Sequence, residues 1–450
     1  MNIIIVGCGK VGATLAETLS AEKHAVSIID SSAEALDRVR ALDVSAFRGN
    51  GSSYRILLDA GVRDCDLLIA VTNRDEVNLL CCLFAKKAGV HRTIARVRDP
   101  DYYQEIDFIR DELGLSLTIN PELACANYIY HLIRCPSAME LTSFAKGRVS
   151  MLTMVLPDDS PWDGKNLIEV SKESSSELLI AILEREGQAL IPHGTTTLRA
   201  GDRVSLIVAS ERTNEVCQRA GIRTKPIKKV MIAGGSTTSY YLARRLLQAR
   251  IQVTIIEYNR ARCEELSDLL PKANIVCGSA ADEELLLDEG LEKADAFVSL
   301  TNLDEENIML SLYAHRLSDA KRITKVNMTN FNKVVSDIPV GSVVSPKHLT
   351  AETILHYARA LRPSPDSDVE AVHRLSNDQV EALAFSLKES SAVTGVPLLQ
   401  LPIRPGVLIG SIIRGRKMII PSGQDTLEPG DFVIVVTTHK GIDTITRILE

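Results

Sequence analysis

The sequence predicts an α/β protein in which a doubly wound parallel sheet is followed by a small α+β lobe, the pair occurring twice in tandem. Three observations carry this. Short runs of β-branched residues alternate with helix-period segments through short links. The first 30 residues order a strand, a glycine turn, a helix, a second strand and an acid. The whole pattern then restarts near residue 230 at constant spacing.

Asn2-Ile-Ile-Ile-Val6 has the composition of a buried parallel strand. Gly7-Cys-Gly-Lys-Val-Gly12 follows at once and fits G-x-G-x-x-G. In that motif Gly7 permits the tight turn, Gly9 lets a pyrophosphate approach the main chain, and Gly12 lets the helix pack on the strand. A helix beginning here presents free N–H groups and its positive dipole end to phosphates. Ala13–Leu19 carries apolar residues at helical spacing, and Ala25–Ile29 is a second strand closed by Asp30. That acid is placed to accept hydrogen bonds from ribose hydroxyls. Ser31-Ser32 follow it with no arginine beside them, which favours NAD or an adenine nucleotide over NADP.

Ala33–Leu42 reads as a helix, and Val44–Phe47 as a strand ending in Arg48-Gly-Asn-Gly-Ser-Ser53. Tyr54–Ala60 is helical, with Gly61 as its C′ residue. Leu67–Val71 is a strand ending in Thr72-Asn73-Arg74, a helix runs from Glu76 to Ala88, and Thr93–Val97 is a fifth strand ending at Arg98. Leu117–Ile119 is a sixth, and Pro121 opens a helix to Ile133. This is a Rossmann-like lobe, whose ligand lies over the carboxyl ends of the strands at the switch point. That rule selects Gly7, Cys8, Gly9, Lys10, Val11 and Gly12 with Asp30, Asn50, Thr72, Asn73, Arg74 and Arg98. Thr72 and Asn73 face ribose or adenine. Arg98, with Arg96 as a second candidate, offers a fork to a phosphate, the alternative being a solvated strand end or an ion pair with Asp75 or Glu76.

From Glu140 the texture changes. Arg148–Leu156 alternates as a half-exposed strand, Leu167–Val170 is a short helix, and Leu179–Leu183 pairs with Ala189–Ile191 across Glu186-Gly187. After Gly201-Asp202 comes the strand Arg203–Val208. This module is too short for a large enzyme core, and His193 in Ile191-Pro-His-Gly194 is a turn residue with no carboxylate in sequence reach. The polar segment Arg223–Lys229 is a linker. Beyond it the same 229-residue offset relates Asn73 to Asn302, Asn78 to Asn307, Pro192 to Pro421 and Asp202 to Asp431. Ala358–Ser367 is a second linker. The four lobes are expected at 1–133, 139–222, 228–361 and 368–450.

The two nucleotide sites differ. Gly234 matches Gly7 and Glu257 matches Asp30, but Ser236 replaces Gly9 and Ser239 replaces Gly12. A second site of Gly234, Gly235, Ser236, Glu257 and Asn302 is expected to bind weakly, differently or not at all, with a side chain standing where pyrophosphate would sit.

Bulk composition excludes other classes. At 450 residues the chain exceeds a single core. A net charge of −7 and 4% aromatic residues argue against a nucleic-acid surface. A DNA-binding repressor would need a basic helix–turn–helix that neither linker can hold. Nine scattered cysteines without Cys-x-x-Cys read as small buried hydrophobes in a reducing compartment. No apolar run reaches bilayer length, so no direct membrane insertion is expected.

The residues Ile4–Gly12, Asp30, Val71–Asn78 and Ile94–Val97 resemble the N-terminal half of a regulator-of-potassium-conductance (RCK, or KTN) domain. Ile191-Pro-His-Gly with Gly201-Asp202 resembles that family's C-terminal lobe. The resemblance covers nearly the whole chain. It implies a cytoplasmic regulatory subunit, peripheral on the inner face of the membrane and attached to a potassium-translocating partner. It implies NAD or NADH, ATP and ADP as ligands of the Gly7–Asp30 site. It also implies a homo-oligomer, four chains giving eight Rossmann-like lobes, and no enzymatic activity. The competing expectation is a soluble NAD-dependent oxidoreductase, which requires an acid or base beside the nicotinamide. The small, repeated lobes offer no cluster of His, Lys or Asp for that role.

Overall fold

The computed structural model describes residues 1–174, 178–222, 225–327, 338–361, 369–376, 379–442 and 444–450. These form two compact units, one of residues 1–127 with 345–358, the other of residues 128–344 with 359–450.

The first unit is built on β1 (Asn2–Val6), β2 (Ala25–Asp30), β3 (Ser45–Arg48), β4 (Leu67–Ala70), β5 (Arg92–Arg96) and β6 (Leu117–Ile119). They are all parallel, in the order β3-β2-β1-β4-β5-β6. The order reverses beside β1, which puts the switch point at Gly7. Ile3–Val6 and all of β4 are buried, as expected of strands covered on both faces. The helix Lys10–Ala21 turns Val11, Leu15 and Leu19 inward at a four-residue spacing. The helix Pro346–Ala360, from the second half of the sequence, falls in this unit through residue 358.

The second unit repeats the parallel sheet. It contains β12 (Lys229–Ala233), β13 (Gln252–Glu257), β14 (Asn274–Cys277), β15 (Ala296–Ser299), β16 (Lys321–Lys325) and β17 (Ser342–Val344), in the order β14-β13-β12-β15-β16-β17. It also holds two antiparallel sheets. One comprises β7 (Glu140–Phe144), β8 (Val149–Val155), β9 (Leu178–Arg185), β10 (Gln188–Leu190) and β11 (Arg203–Ala209), ordered β10-β9-β11-β8-β7. The other comprises β18 (Val369–Leu375), β19 (Val380–Ser386), β20 (Val407–Arg414), β21 (Lys417–Ile419) and β22 (Phe432–Thr437), ordered β18-β19-β22-β20-β21. Read from opposite ends the two orders are the same. Phe144, Met151, Ile182 and Ile207 of one sheet share a core with Val380, Ala384, Ile434 and Val436 of the other. At the rim Arg148 Nη1 donates to the Gly415 carbonyl at 2.8 Å, and Gln379 Nε2 to the Gly187 carbonyl at 3.0 Å.

Several expectations need correcting. A helix at Pro100–Leu113 adds an element between the fifth and sixth strands. Its charged sequence hides the apolar period, yet Asp99 and Pro100 form a start signal, with the Asp99 carboxylate accepting from the Tyr102 amide. Strand β7 and the helix Thr213–Arg219 were also missed. The end of the first linker is already structured, because the Lys228 and Lys229 amides donate to Asp295 Oδ2 at 2.8 and 2.9 Å. Residues 223–224 of that linker and 362–367 of the second lie outside the described residues. Eight cysteines are buried, but Cys277 is exposed on the edge strand β14. Among the described residues no helix is long and apolar enough to cross a membrane.

Candidate nucleotide-binding site

The glycine turn leaves β1 at Gly7, whose φ of +105° only glycine adopts readily. A Cβ there would also meet the Thr72 amide nitrogen at 2.9 Å. Gly12 lies so close to the turn that an added Cβ would fall 1.8 Å from the Gly7 carbonyl oxygen. Gly9 is different. It is the N-cap of the helix Lys10–Ala21, in extended conformation, and a Cβ added to it would meet nothing within 4 Å. No side chain caps this helix. Its first amides therefore have no side-chain cap, and the space beside Gly9 is open.

Asp30 lies beside this turn at the end of β2. One carboxylate oxygen accepts from the Cys8 amide at 2.6 Å and the other from the Ser32 amide at 2.8 Å. Each oxygen keeps a second acceptor site for a hydroxyl. Lys10 is exposed in the first turn of the helix, and Val11 is buried in its apolar face. The Cys8 thiol is buried against the Ala35 carbonyl, and burial with the nearby Asp30 charge pushes it up to about 11. It packs; it is not a nucleophile. Asn50 closes its own turn by accepting from Ser52. The next residue, Gly51, passes so near β1 that a Cβ would sit 2.1 Å from Val6.

Across the switch point the end of β4 is held by Asn78, which sequence reasoning noted as a repeat marker and not as a site residue. Its carbonyl accepts from the Thr72 amide (2.8 Å) and hydroxyl (2.7 Å), and its amide donates to the Arg96 carbonyl at 2.8 Å. The Thr72 hydroxyl is thus committed to Asn78, while Asn73 and Arg74 are exposed. Arg74 Nε lies 3.9 Å from Glu76. Arg98 is ion-paired, though with neither anticipated partner. Its Nε donates to Glu122 Oε1 at 2.8 Å. Asp75 instead accepts from the Arg98 and Asp99 amides, both at 2.8 Å. Arg96 is half-buried, and its Nε has no hydrogen-bond partner among the described residues. Such an orphaned donor at a strand end fits an absent anion.

In the second lobe the turn repeats, with Gly234 at φ +100° and the Glu257 carboxylate accepting from the Gly235 amide at 2.6 Å. Ser236 stands at the helix terminus. It folds back as an N-cap, accepting from the Ser239 amide at 3.3 Å. Ser239 Oγ donates to the Gly234 carbonyl at 2.6 Å, filling the space that Gly12 leaves closed. Arg262 Nε donates to the Gly235 carbonyl at 2.7 Å. Asn302 is exposed. The positions of Lys10, Arg74 and Arg98 hold Thr237, Leu303 and Asn327, and only Lys325 keeps the charge of Arg96. Three of four cations are gone, and the helix terminus is occupied by its own serine.

The TrkA-N domain model matches residues 3–121 and 230–346, and the TrkA-C domain model matches 151–221 and 383–450. A Trk system potassium uptake protein TrkA homolog of Archaeoglobus fulgidus is 34% identical over 100% of both chains. The Trk system potassium uptake protein TrkA of Vibrio alginolyticus is 32% identical over 98% of this chain and 96% of its own. Among solved structures, the GsuK RCK domain superposes over 98% of this chain and 92% of its own with a TM-score of 0.61 at 16% identity. The GsuK channel bound to NAD covers 98% of this chain and 77% of its own, with a TM-score of 0.61 at 17% identity. Those likenesses speak for the fold. With both domain models matched twice in alternation and full-length relatives a third identical, the chain belongs to the TrkA family of Trk system potassium uptake proteins.

Proposed function

We propose that this chain is a non-catalytic regulatory subunit that binds NAD or NADH, or the adenine nucleotides ADP and ATP, in its first lobe and so controls a membrane potassium-translocating subunit of the Trk type. Its relatives are named as parts of the Trk potassium uptake system, and the similarly folded GsuK has been solved bound to NAD and to ADP. The observation that carries the reading is the uncapped helix terminus at Gly9, with open space above it and Asp30 on the adjacent strand. Gly7–Gly12 would cradle the phosphates, Asp30 would take the ribose hydroxyls, and Arg96, Arg98 and Lys10 would meet phosphate charge. Asn50, Thr72, Asn73 and Arg74 would border the base and sugar. The second crevice, built of Gly234, Gly235, Ser236, Glu257 and Asn302, would bind a nucleotide weakly or not at all.

The lobes would be 1–133, 139–222, 228–361 and 368–450, assembled as a homotetramer on the inner face of the membrane. A ligand shifts such an assembly only by binding its two states with different affinity. ATP and ADP would differ through contacts of the γ-phosphate with Lys10 or Arg98. Isothermal calorimetry of the full chain with NADH, NAD, ADP and ATP tests the site. Binding that Gly9→Asp abolishes supports it, and unchanged affinity in Gly9→Asp refutes it. A dehydrogenase needs a hydride acceptor, so NADH absorbance that stays constant with the protein across a panel of small carbonyl substrates supports this reading, and loss of absorbance with any of them favours a dehydrogenase.

A further inference from the structure

The helix Pro121–Arg134 begins at the candidate site and ends at a second, unassigned cluster. At its start, Asn120 caps it by accepting from the Leu123 amide at 2.8 Å and donates to the Arg98 carbonyl at 3.4 Å, while Glu122 in its first turn takes Arg98 Nε. At its far end stands Lys321, the first residue of β16. Its ammonium donates to the carbonyls of Leu132 (2.8 Å), Cys135 (3.1 Å), Pro136 (3.1 Å) and Ala138 (2.7 Å). Leu132 is in the last turn of the helix, and the other three lie in the turn that leads into β7. One turn earlier, Arg245 lies 4.4 Å over the Tyr130 ring.

A cation at a helix C-terminus meets the negative end of the dipole and satisfies orphan carbonyls. Lys321 does more, because its acceptors lie on both sides of the bend. It therefore fixes the direction in which the chain leaves the helix. Burial pushes the ammonium down to about 7, and the neighbouring Cys135 and Cys217 thiols act in the opposite sense. The four convergent carbonyls match the three N–H groups of the charged form better than the two of the neutral one.

We propose that Lys321 is a positioning residue that locks the exit of the helix Pro121–Arg134, so that a change at Arg98 and Glu122 reaches the first antiparallel lobe as a movement of β7 and β8. This rests on the nucleotide reading of the first site. A phosphate that drew Arg98 from Glu122 would free the start of the helix, and the lock converts that freedom into displacement of the lobe beyond it.

Hydrogen exchange on the full chain, with and without NADH, tests this in Lys321→Met. The wild type is expected to change its exchange in Glu140–Phe144 and Val149–Val155 when NADH binds. Lys321→Met is expected to keep its NADH affinity within about threefold and to lose that change. An unaltered NADH-dependent change in Lys321→Met overturns the proposal. If NADH does not bind the wild type, the nucleotide reading falls and the ligand-free arm decides on Lys321. There the Ala138 and Met139 amides should exchange at least tenfold faster in Lys321→Met, and equal rates overturn the proposal. If Lys321→Met does not fold, Lys321→Ala is compared with and without added propylammonium. Recovery of the wild-type exchange pattern supports the cage, and no recovery overturns it.

Discussion

Gly9 and Gly12 stand three residues apart and answer to different demands. Gly12 is required by the fold, because its missing Cβ is the space in which the Gly7 carbonyl lies. Gly12→Ala should cost about 1–3 kcal/mol in denaturant unfolding, the range for overpacking a closed contact. Gly9 is required by nothing that the chain itself places there. An aspartate at this N-cap would bond the helix amides much as Ser236 does in the second lobe, a gain over an N-cap glycine of only a few tenths of a kcal/mol. Gly9→Asp should therefore leave Tm unchanged or raised while weakening NADH affinity at least about 100-fold, because a fixed carboxylate would meet the pyrophosphate charge. A parallel fall in Tm and affinity would show that Gly9 serves the fold after all. Cys8, in the same turn, should resist iodoacetamide at pH 8 while exposed Cys277 reacts, as peptide mapping would show. Modification of Cys8 would mean that the turn opens in solution.

At the scale of elements, the antiparallel lobes show what the Gly-Asp repeat is for. Asp202 is buried and accepts two bonds from Arg185, Nε to Oδ1 and Nη2 to Oδ2, both at 2.7 Å, with a third from the Arg199 amide. Asp431 repeats all three with Arg414 and the Glu428 amide. The motif is a fork that closes the end of each lobe, so neither aspartate is free for acid–base chemistry. Arg185→Ala would leave Asp202 buried with its partner removed. Breaking a buried pair costs about 3–5 kcal/mol, and the partial exposure of Arg185 argues for the lower end. Thermal unfolding should show the loss, and a shift below one degree would mean that water replaces the fork.

Much of this architecture was legible because its signals were local. The β1–Gly12–β2–Asp30 order, the strand ends and the repeat all sit in contiguous residues. What escaped had its cause elsewhere in the chain. Asp202 was visible as a motif, yet its arginine lies 17 residues upstream on another strand. The partner of Arg98 is Glu122, 24 residues on, and Asp75 and Glu76, about as far back in the sequence, offered an equal choice. Asn78 could have been found, because a buried asparagine at the same offset in both halves has to be bonding something. Lys321 could not, since nothing in its own neighbourhood tells that four carbonyls converge on it.

On the scale of the whole chain, duplication has left two lobes with one fold and unequal equipment. The first lobe keeps the bare helix terminus and four cationic positions. The second keeps the acid but caps its helix with Ser236, holds its turn with Arg262 and has lost three of those cations. Its turn is held by the protein's own groups. Exchanging the two should be possible in part: Ser236→Gly with Asn327→Arg restores an open terminus and a fork, and is expected to raise nucleotide affinity above that of the native second lobe. Calorimetric titration of the double variant on a Gly9→Asp background checks this, and absence of binding would place the defect in the Arg262 contact.

The central claim is met most directly by the binding stoichiometry of NADH on the full wild-type chain. One high-affinity molecule per chain, removed by Gly9→Asp and untouched by Ser236→Asp, is the predicted result. Two equivalent molecules per chain, or one that survives Gly9→Asp, would contradict it.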